Sequence, residues 1–313
     1  MSTAVVITSV GEALVDIIER TGSSDPPEEH VGGSPANVAL TLGRLGHRSH
    51  LLTCLGDDPR GRRIADHLAA SGVSLVPGSI GAGHTSTAKA MLDENGAASY
   101  VFDLTWQLPD PLPALAPGTL CLHTGSIGAV LEPGGSQVVQ CCRQLREQVT
   151  ISYDPNLRPQ IMGSPGAVRD HVEALVAAAD IVKMSDEDAA WYEPGTTPED
   201  LARRWQSMGP ALVVVTRGGE GAVGFVEAGR AEIASLPVEV ADTVGAGDTF
   251  SAGLIDAAAH AGLLGVDRRE ALRALPVAGA QALMQHAARL AAVTVSRPGA
   301  DTPWRHEVYP AGS

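Results

Sequence analysis

The chain has 313 residues, 44% apolar and 19% charged, with a net charge of −14. That balance is ordinary for a globular protein with one large core or two smaller ones, and its acidity argues against nucleic acid or an anionic membrane as partner. Cys54, Cys121, Cys141 and Cys142 lack zinc or disulfide spacing, no secretory signal is read, and no run reaches roughly 20 apolar residues, so a reducing cytoplasm is the expected setting.

In chain order, the first strand candidate is Val5 to Val10. Gly11-Glu-Ala-Leu-Val-Asp16 continues it and ends on an acid, and Ser23 to Glu29 reads as a polar loop. Next comes Gly32-Gly-Ser-Pro-Ala-Asn-Val-Ala-Leu-Thr-Leu-Gly-Arg-Leu-Gly46. Gly32 and Gly33 allow a small polar ligand close to the backbone. Pro35 suits a helix start, and Asn37 offers a donor and an acceptor to a sugar hydroxyl. Val38, Leu42 and Leu45 share one helical face. After a strand candidate at His50 to Leu55, the segment Thr85 to Phe102 predicts a β-hairpin, with Asn95-Gly96 supplying the positive φ angles of its turn. Two strands make no core of their own. They are expected to pair and fold over the site as a small β-lid that excludes water.

Further strand candidates are Leu120 to His123, Thr150 to Tyr153, Ile181 to Met184 and Ala211 to Val215, alternating with helical faces such as Val168, Val172, Leu175 and Val176. This rhythm predicts an α/β fold: a doubly wound, mainly parallel sheet flanked by helices, with ligands at the carboxyl ends of the strands. One domain, residues 1–313, is expected, with lid segments at about 12–31 and 85–105. Asp154-Pro-Asn-Leu-Arg158 sits at such a strand end. Arg158 either steadies a substrate or phosphate bidentately or pairs with Asp154 as loop scaffolding.

The most informative string is Asp242-Thr-Val-Gly-Ala-Gly-Asp-Thr-Phe250, followed by an apolar helix candidate from Ser251 to Ala259. Amides of Gly245, Ala246 and Gly247 at a helix N-terminus make a nest for phosphate oxygens or for a phosphoryl group in flight. Asp248 at its edge repels phosphate, and suits a base that takes a proton from an attacking hydroxyl. No Gly-Lys-Ser/Thr follows, so the nest is not a Walker A loop, and the dinucleotide glycine fingerprint is missing.

The string resembles the second signature of the ribokinase-like carbohydrate kinases, the PfkB family, and Gly32 to Gly46 fits the first. The resemblance implies a ribokinase-like fold, ATP with Mg²⁺, and a sugar whose vicinal hydroxyls bond Asp16, with Gly32, Gly33, Asn37, Phe102 and Arg158 as further contacts. Ser185 and Asp188 stand where the family often shows Asn-x-x-Glu, organising metal-bound water, with Glu187 as an alternative acid. Thr216, Gly218 and the hinge Gly221 are implied contacts of the nucleotide, as is Gly247. Asp242 and Val244, with the carbonyls of Thr294, Arg297 and Gly299, would form an oxygen cage for K⁺. Ala288 occupies a position where several relatives carry Asn for adenine. Lids of this family can pair across a homodimer.

The expected activity is ATP-dependent phosphorylation of a neutral sugar's primary hydroxyl, fructose to fructose 6-phosphate. Asp-x-Asn-x-Arg at Asp154 to Arg158 resembles fructokinases and also 2-keto-3-deoxygluconate kinases. The latter substrate is opposed by the acid in Tyr100-Val-Phe-Asp103, since like charges repel. Ribose is the other alternative, but ribokinases usually show Gly-Gly-Lys-Gly-Ala-Asn, and this loop reads Gly-Gly-Ser-Pro-Ala-Asn. A silent sugar sensor of the same fold would carry a replaced base or a broken nest; both are intact here.

Overall fold

The computed structural model describes residues 4–20, 22, 26–81, 83–92 and 98–309. The Asn95-Gly96 turn and residues 23–25 of the polar loop lie outside that set. Thirteen strands fall in two sheets among the described residues: β1 (Val6–Val10), β2 (Leu14–Arg20), β3 (Glu28–Gly32), β4 (Arg48–Leu52), β5 (Val73–Leu75), β6 (Thr87–Leu92), β7 (Ala98–Asp103), β8 (Thr119–Gly125), β9 (Thr150–Asp154), β10 (Ile181–Ser185), β11 (Leu212–Thr216), β12 (Ala222–Val226) and β13 (Gly229–Ile233).

The large sheet runs β13-β12-β11-β10-β9-β8-β1-β4-β5. From β11 to β5 every pairing is parallel, while β12 and β13 add an antiparallel edge. Its central strands are buried on both faces, polar residues such as Thr8, Ser9, Ser152, Asp154 and Lys183 included. The expected doubly wound architecture is therefore present. The His50 to Leu55 candidate is displaced: β4 starts earlier and ends at Leu52, and Cys54 and Leu55 are buried in the loop that follows.

The helices are α1 (Ser34–Arg44), α2 (Pro59–Ala70), α3 (Gly134–Leu145), α4 (Pro159–Met162), α5 (Pro165–Ala178), α6 (Asp186–Tyr192), α7 (Pro198–Ser207), α8 (Ala246–His260), α9 (Arg269–Arg273), α10 (Val277–Val295) and α11 (Arg305–Val308). Helices α1, α8 and α10 pack together on one face of the sheet, and α3, α5 and α7 on the other. In α5 the buried residues are Val168, Val172, Leu175, Val176 and Ala178, the stripe expected from the 3.6 period. No helix among the described residues is long and apolar enough to cross a membrane.

The lid is larger than the expected hairpin. Four strands, ordered β3-β2-β6-β7, form a second sheet in which β2 lies parallel to β6. Two hairpins from opposite ends of the first hundred residues thus complete each other, and part of the supposed polar loop is β3. Val15 and Ile17 on one lid face bury against Ala36, Ala39 and Leu40 of α1 and Ile64 and Leu68 of α2. That small core gives the lid the footing a lone hairpin lacks.

Helix α8 is fastened at its far end. The buried carboxylate of Asp256 meets His47 Nε2 at 2.8 Å, His286 Nε2 at 2.6 Å and the hydroxyl of Tyr309 at 2.7 Å. Burial pushes this carboxyl up, but the three hydrogen bonds outweigh it and hold the group well below the usual range. Asp256→Ala strands the fully buried His47, and a buried group without its partner costs about 1–3 kcal/mol. Urea unfolding should show at least that loss, and Asp256→Asn, which keeps an acceptor, should recover part of it.

Candidate active site

Helix α8 begins at Ala246, five residues before the expected start, so Asp248 lies in its first turn. Two glycines close together read as a helix breaker, but the first turn tolerates them because its amides need no intrahelical carbonyl. Gly245 enters the helix at φ 76°, a left-handed angle, and a Cβ there would stand 2.7 Å from Ala300 Cβ. Glycine meets both constraints.

Among the described residues, no acceptor takes the amides of Gly245, Gly247 or Asp248. The amide of Ala246, expected to belong to the nest, donates instead to Thr243 O at 3.2 Å. The turn that brings the chain into α8 folds Ala246 back on Thr243, and the amide of Asp248 takes its place in the unpaired set.

Asp248 is buried, at 8% exposure. Ser34 Oγ donates to its Oδ1 at 2.6 Å and Asn37 Nδ2 to its Oδ2 at 2.8 Å. Both donors sit in the first turn of α1, which starts where Gly33, at φ 106°, turns the chain. A Cβ on Gly33 would lie 2.5 Å from Glu12 O. The Glu12 carboxylate accepts from Gly128 N at 2.8 Å and Ser34 N at 3.3 Å, and burial raises it to about 7. Asn37, expected to face sugar, thus also orients Asp248. Ser34 was not among the expected site residues, and a serine at a helix start ordinarily reads as a cap.

Beneath the same turn lies a buried ion pair. Lys183 Nζ meets Asp154 Oδ2 at 2.9 Å, and Ser251 Oγ donates to that oxygen at 2.9 Å. Asp154 is therefore not the partner of Arg158, whose guanidinium donates to Leu157 O at 3.0 Å and lies exposed. Burial opposes the charge on Lys183, but the carboxylates of Asp154, Asp188 and Asp248 hold it above the usual lysine range. A Cβ on Gly247 would stand 2.9 Å from Lys183 Nζ. Sequence reasoning gave Lys183 no role; its signal was a lysine, one of two in the chain, in the middle of a buried strand.

On the lid, Asp16 pairs in register with His30 on one side and Ala88 on the other, and Ala88 with Phe102. Register partners share a face, so Asp16 and Phe102 lie on one side of the sheet. Asp16 Oδ2 lies over Gly32, where a Cβ would come within 2.1 Å of it. The carboxyl is open to solvent on one side, yet desolvation by surrounding protein raises it to about 6, against the opposite pull of His30 and Arg158.

Ser185 and Thr216 close β10 and β11, and Gly218 and Gly221 form the turn after β11. All four therefore stand at the same strand ends. Asp188 spends both oxygens on main-chain amides, those of Leu157 at 2.7 Å and Ser185 at 2.9 Å, the second as part of a capping box. Among the described residues no group of three or more His, Cys, Asp or Glu could hold a metal. These side chains build no divalent site of their own. Asp242 accepts from Val244 N at 3.0 Å and Gly299 N at 2.8 Å, bringing both segments together. Of the expected oxygen cage, the Thr294 carbonyl already accepts Arg297 N at 3.1 Å.

Residues 6–307 match the family described as pfkB family carbohydrate kinase. The chain is 34% identical over 260 residues to a fructokinase of Rhizobium leguminosarum bv. trifolii, covering 80% of this chain and 78% of that one. It is 31% identical over 314 residues to the fructokinase of Escherichia coli, covering 96% of each. The crystal structure of fructokinase from Vibrio cholerae O395, in a form with fructose, ADP and calcium ion bound, superposes with a TM-score of 0.78 at 26% identity, over 96% of this chain and 95% of that one. A doubly wound sheet, a β-lid and a carboxylate beside unpaired amides at the mouth of α8 meet in one chain, and this chain belongs to the PfkB family of carbohydrate kinases.

Proposed function

We propose that this carbohydrate kinase transfers the γ-phosphoryl group of ATP to the primary hydroxyl of a neutral sugar, converting D-fructose to fructose 6-phosphate. The observation that carries the reading is Asp248 set beside the unpaired amides of α8 and held by Ser34 and Asn37. As the sugar oxygen attacks the γ-phosphorus, its proton passes to the Asp248 carboxylate. The new O–P bond forms while the bond to the β–γ bridging oxygen breaks, and ADP departs. The amides of Gly245, Gly247 and Asp248 meet the charge on the group in transfer, where fixed donors count most. Curated fructokinases at 31–34% identity support fructose as the acceptor.

The remaining assignments follow from placement. Asp16, Gly32, Gly33, Asn37, Phe102 and Arg158 surround the sugar; Ser185, Thr216, Gly218 and Gly221 lie along the nucleotide. Mg²⁺ enters with ATP, since such ions commonly ride on substrate phosphates with few protein ligands. A potassium ion held by Asp242, Val244, Arg297 and Gly299 steadies the turn into α8 from behind. ATP as donor is in keeping with a cytoplasmic setting. The lid's edge strands β3 and β7, with Tyr100 and Val101 half exposed, offer a surface for pairing two copies, which light scattering reads directly as a dimer mass.

One observation favours a second acceptor. Arg158 makes no ion pair among the described residues and lies near Asp16, so it is placed to meet the carboxylate of 2-keto-3-deoxygluconate. A panel of fructose, ribose, 2-keto-3-deoxygluconate and tagatose with ATP separates these readings, and fructose should give the highest kcat/KM. Asp248→Asn should keep the fold and nucleotide affinity while kcat falls about 10²–10⁴-fold; full turnover in that variant would remove the assigned base. Asp16 accepts sugar hydroxyls as a carboxylate, so its protonation below about 6 weakens binding. KM for fructose should rise as pH falls through that value, approaching about tenfold per pH unit, and Asp16→Asn should give a high, flat profile.

A further inference from the structure

We propose that Lys183 is a positioning residue for phosphoryl transfer: its buried ammonium lies under the first turn of α8 and offsets, from inside the protein, the carboxylates gathered beside the amide nest. The inference rests on the kinase reading above and adds a residue to it. Four observations carry it. The Lys183 side chain is 6% exposed, and burying an ammonium costs several kcal/mol before any partner is counted. A buried pair of this kind is seldom needed for stability, because apolar residues of similar volume do as well. The charge therefore calls for another reason to be there.

Its position supplies one. The ammonium stands where a side chain on Gly247 would have to go, 2.9 Å from the Cβ that glycine omits. A side chain at 247 would displace the ammonium from this place, and the unpaired amide of that same residue belongs to the nest. A helix N-terminus offers about half an elementary charge; the ammonium is the pole of the Lys183–Asp154 pair that lies against Gly247, so the pair's dipole adds to it. Third, the pair is anchored to the helix it serves. Asp154 holds Lys183 from β9, and Ser251, one turn after Gly247 on α8, holds Asp154 through the same oxygen. Fourth, Asp154, Asp188 and Asp248 all act on this one cation. Without it, three carboxylates would face a polyanionic nucleotide in a chain that already carries −14.

The test separates charge from scaffolding. Wild-type activity with ATP and fructose is measured first; its absence would defeat the proposed function without touching the lysine. Lys183→Met is then combined with Asp154→Asn, so that neither partner is left as a lone buried charge. The double variant should fold, keep KM for ATP and fructose within about threefold, and lose kcat by about 10²-fold, the typical cost of one anion-hole donor. Affinity for ADP with magnesium and aluminium fluoride, a mimic of the group in transfer, should fall by a similar factor while affinity for ADP alone holds. A kcat within about fivefold of wild type, or an equal loss for ADP with and without the fluoride, would overturn the proposal. If the double variant fails to fold, Ser251→Ala decides: it leaves the ion pair but frees it from α8. A several-fold fall in kcat at unchanged KM supports the proposal, and wild-type kcat rejects it.

Discussion

Two hydrogen bonds onto Asp248 tie together parts of the chain more than 200 residues apart, and the rest of the site depends on them. Ser34 and Asn37 grip its two carboxylate oxygens, so the first turns of α1 and α8 meet end to end. For that meeting the chain must turn sharply into each helix. Gly33 at φ 106° and Gly245 at φ 76° do so, each at a place where a Cβ would strike main chain or a neighbouring side chain. Glu12 backs the arrangement by accepting the Ser34 amide. At the opposite end of α8, Asp256 gathers two histidines and a tyrosine. A helix fixed at both ends carries its first-turn carboxylate with little freedom, which is what a base aligned on one hydroxyl requires.

The electrostatics of the site run against those of the molecule. A chain of charge −14 must, under the proposed function, collect positive potential locally to hold ATP. Its sources are main-chain amides, one helix terminus and a single buried lysine. Surface arginines are mostly spent on nearby acids, as in Arg204 with Glu193 and Arg230 with Glu199 and Glu232. Exposed pairs of this kind add little stability. The buried donors at the mouth of α8 act in a medium where each counts for more.

Legibility in the sequence followed the range of the interaction. The sheet was readable because short apolar runs alternate with helical stripes along the chain, and α5 because its stripe keeps the 3.6 period. Asp242 to Phe250 was readable because glycine spacing and an acid at a helix mouth are local features. The start of α8 was not, since Gly245 and Gly247 mimic a break, and the folding back of Ala246 on Thr243 depends on the turn as built. Strand β3 was hidden because Glu28-Glu-His-Val-Gly32 is polar on its open side; it exists through pairing with β2. The contacts of Ser34 with Asp248 and of Lys183 with Asp154 join positions 214 and 29 residues apart. No periodicity in one sequence links such positions.

The lid and the base share a foundation, and this constrains how the site can work. Helix α1 carries Ser34 and Asn37 in its first turn, and along its next turns Ala36, Ala39 and Leu40 bury the inner face of the lid through Val15 and Ile17. Strand β3 then runs straight into Gly32 and Gly33, the turn that sets the start of α1. The lid and the helix that orients Asp248 are thus one packed unit, while α8 is held separately through Asp256. Asp16 on the lid and Asn37 on α1 are two ends of that unit, so under the proposed function a sugar bonded to both would have its hydroxyl set against Asp248. On that reading substrate choice would be coupled to alignment of the base through apolar packing, with no direct contact between the two carboxylates needed.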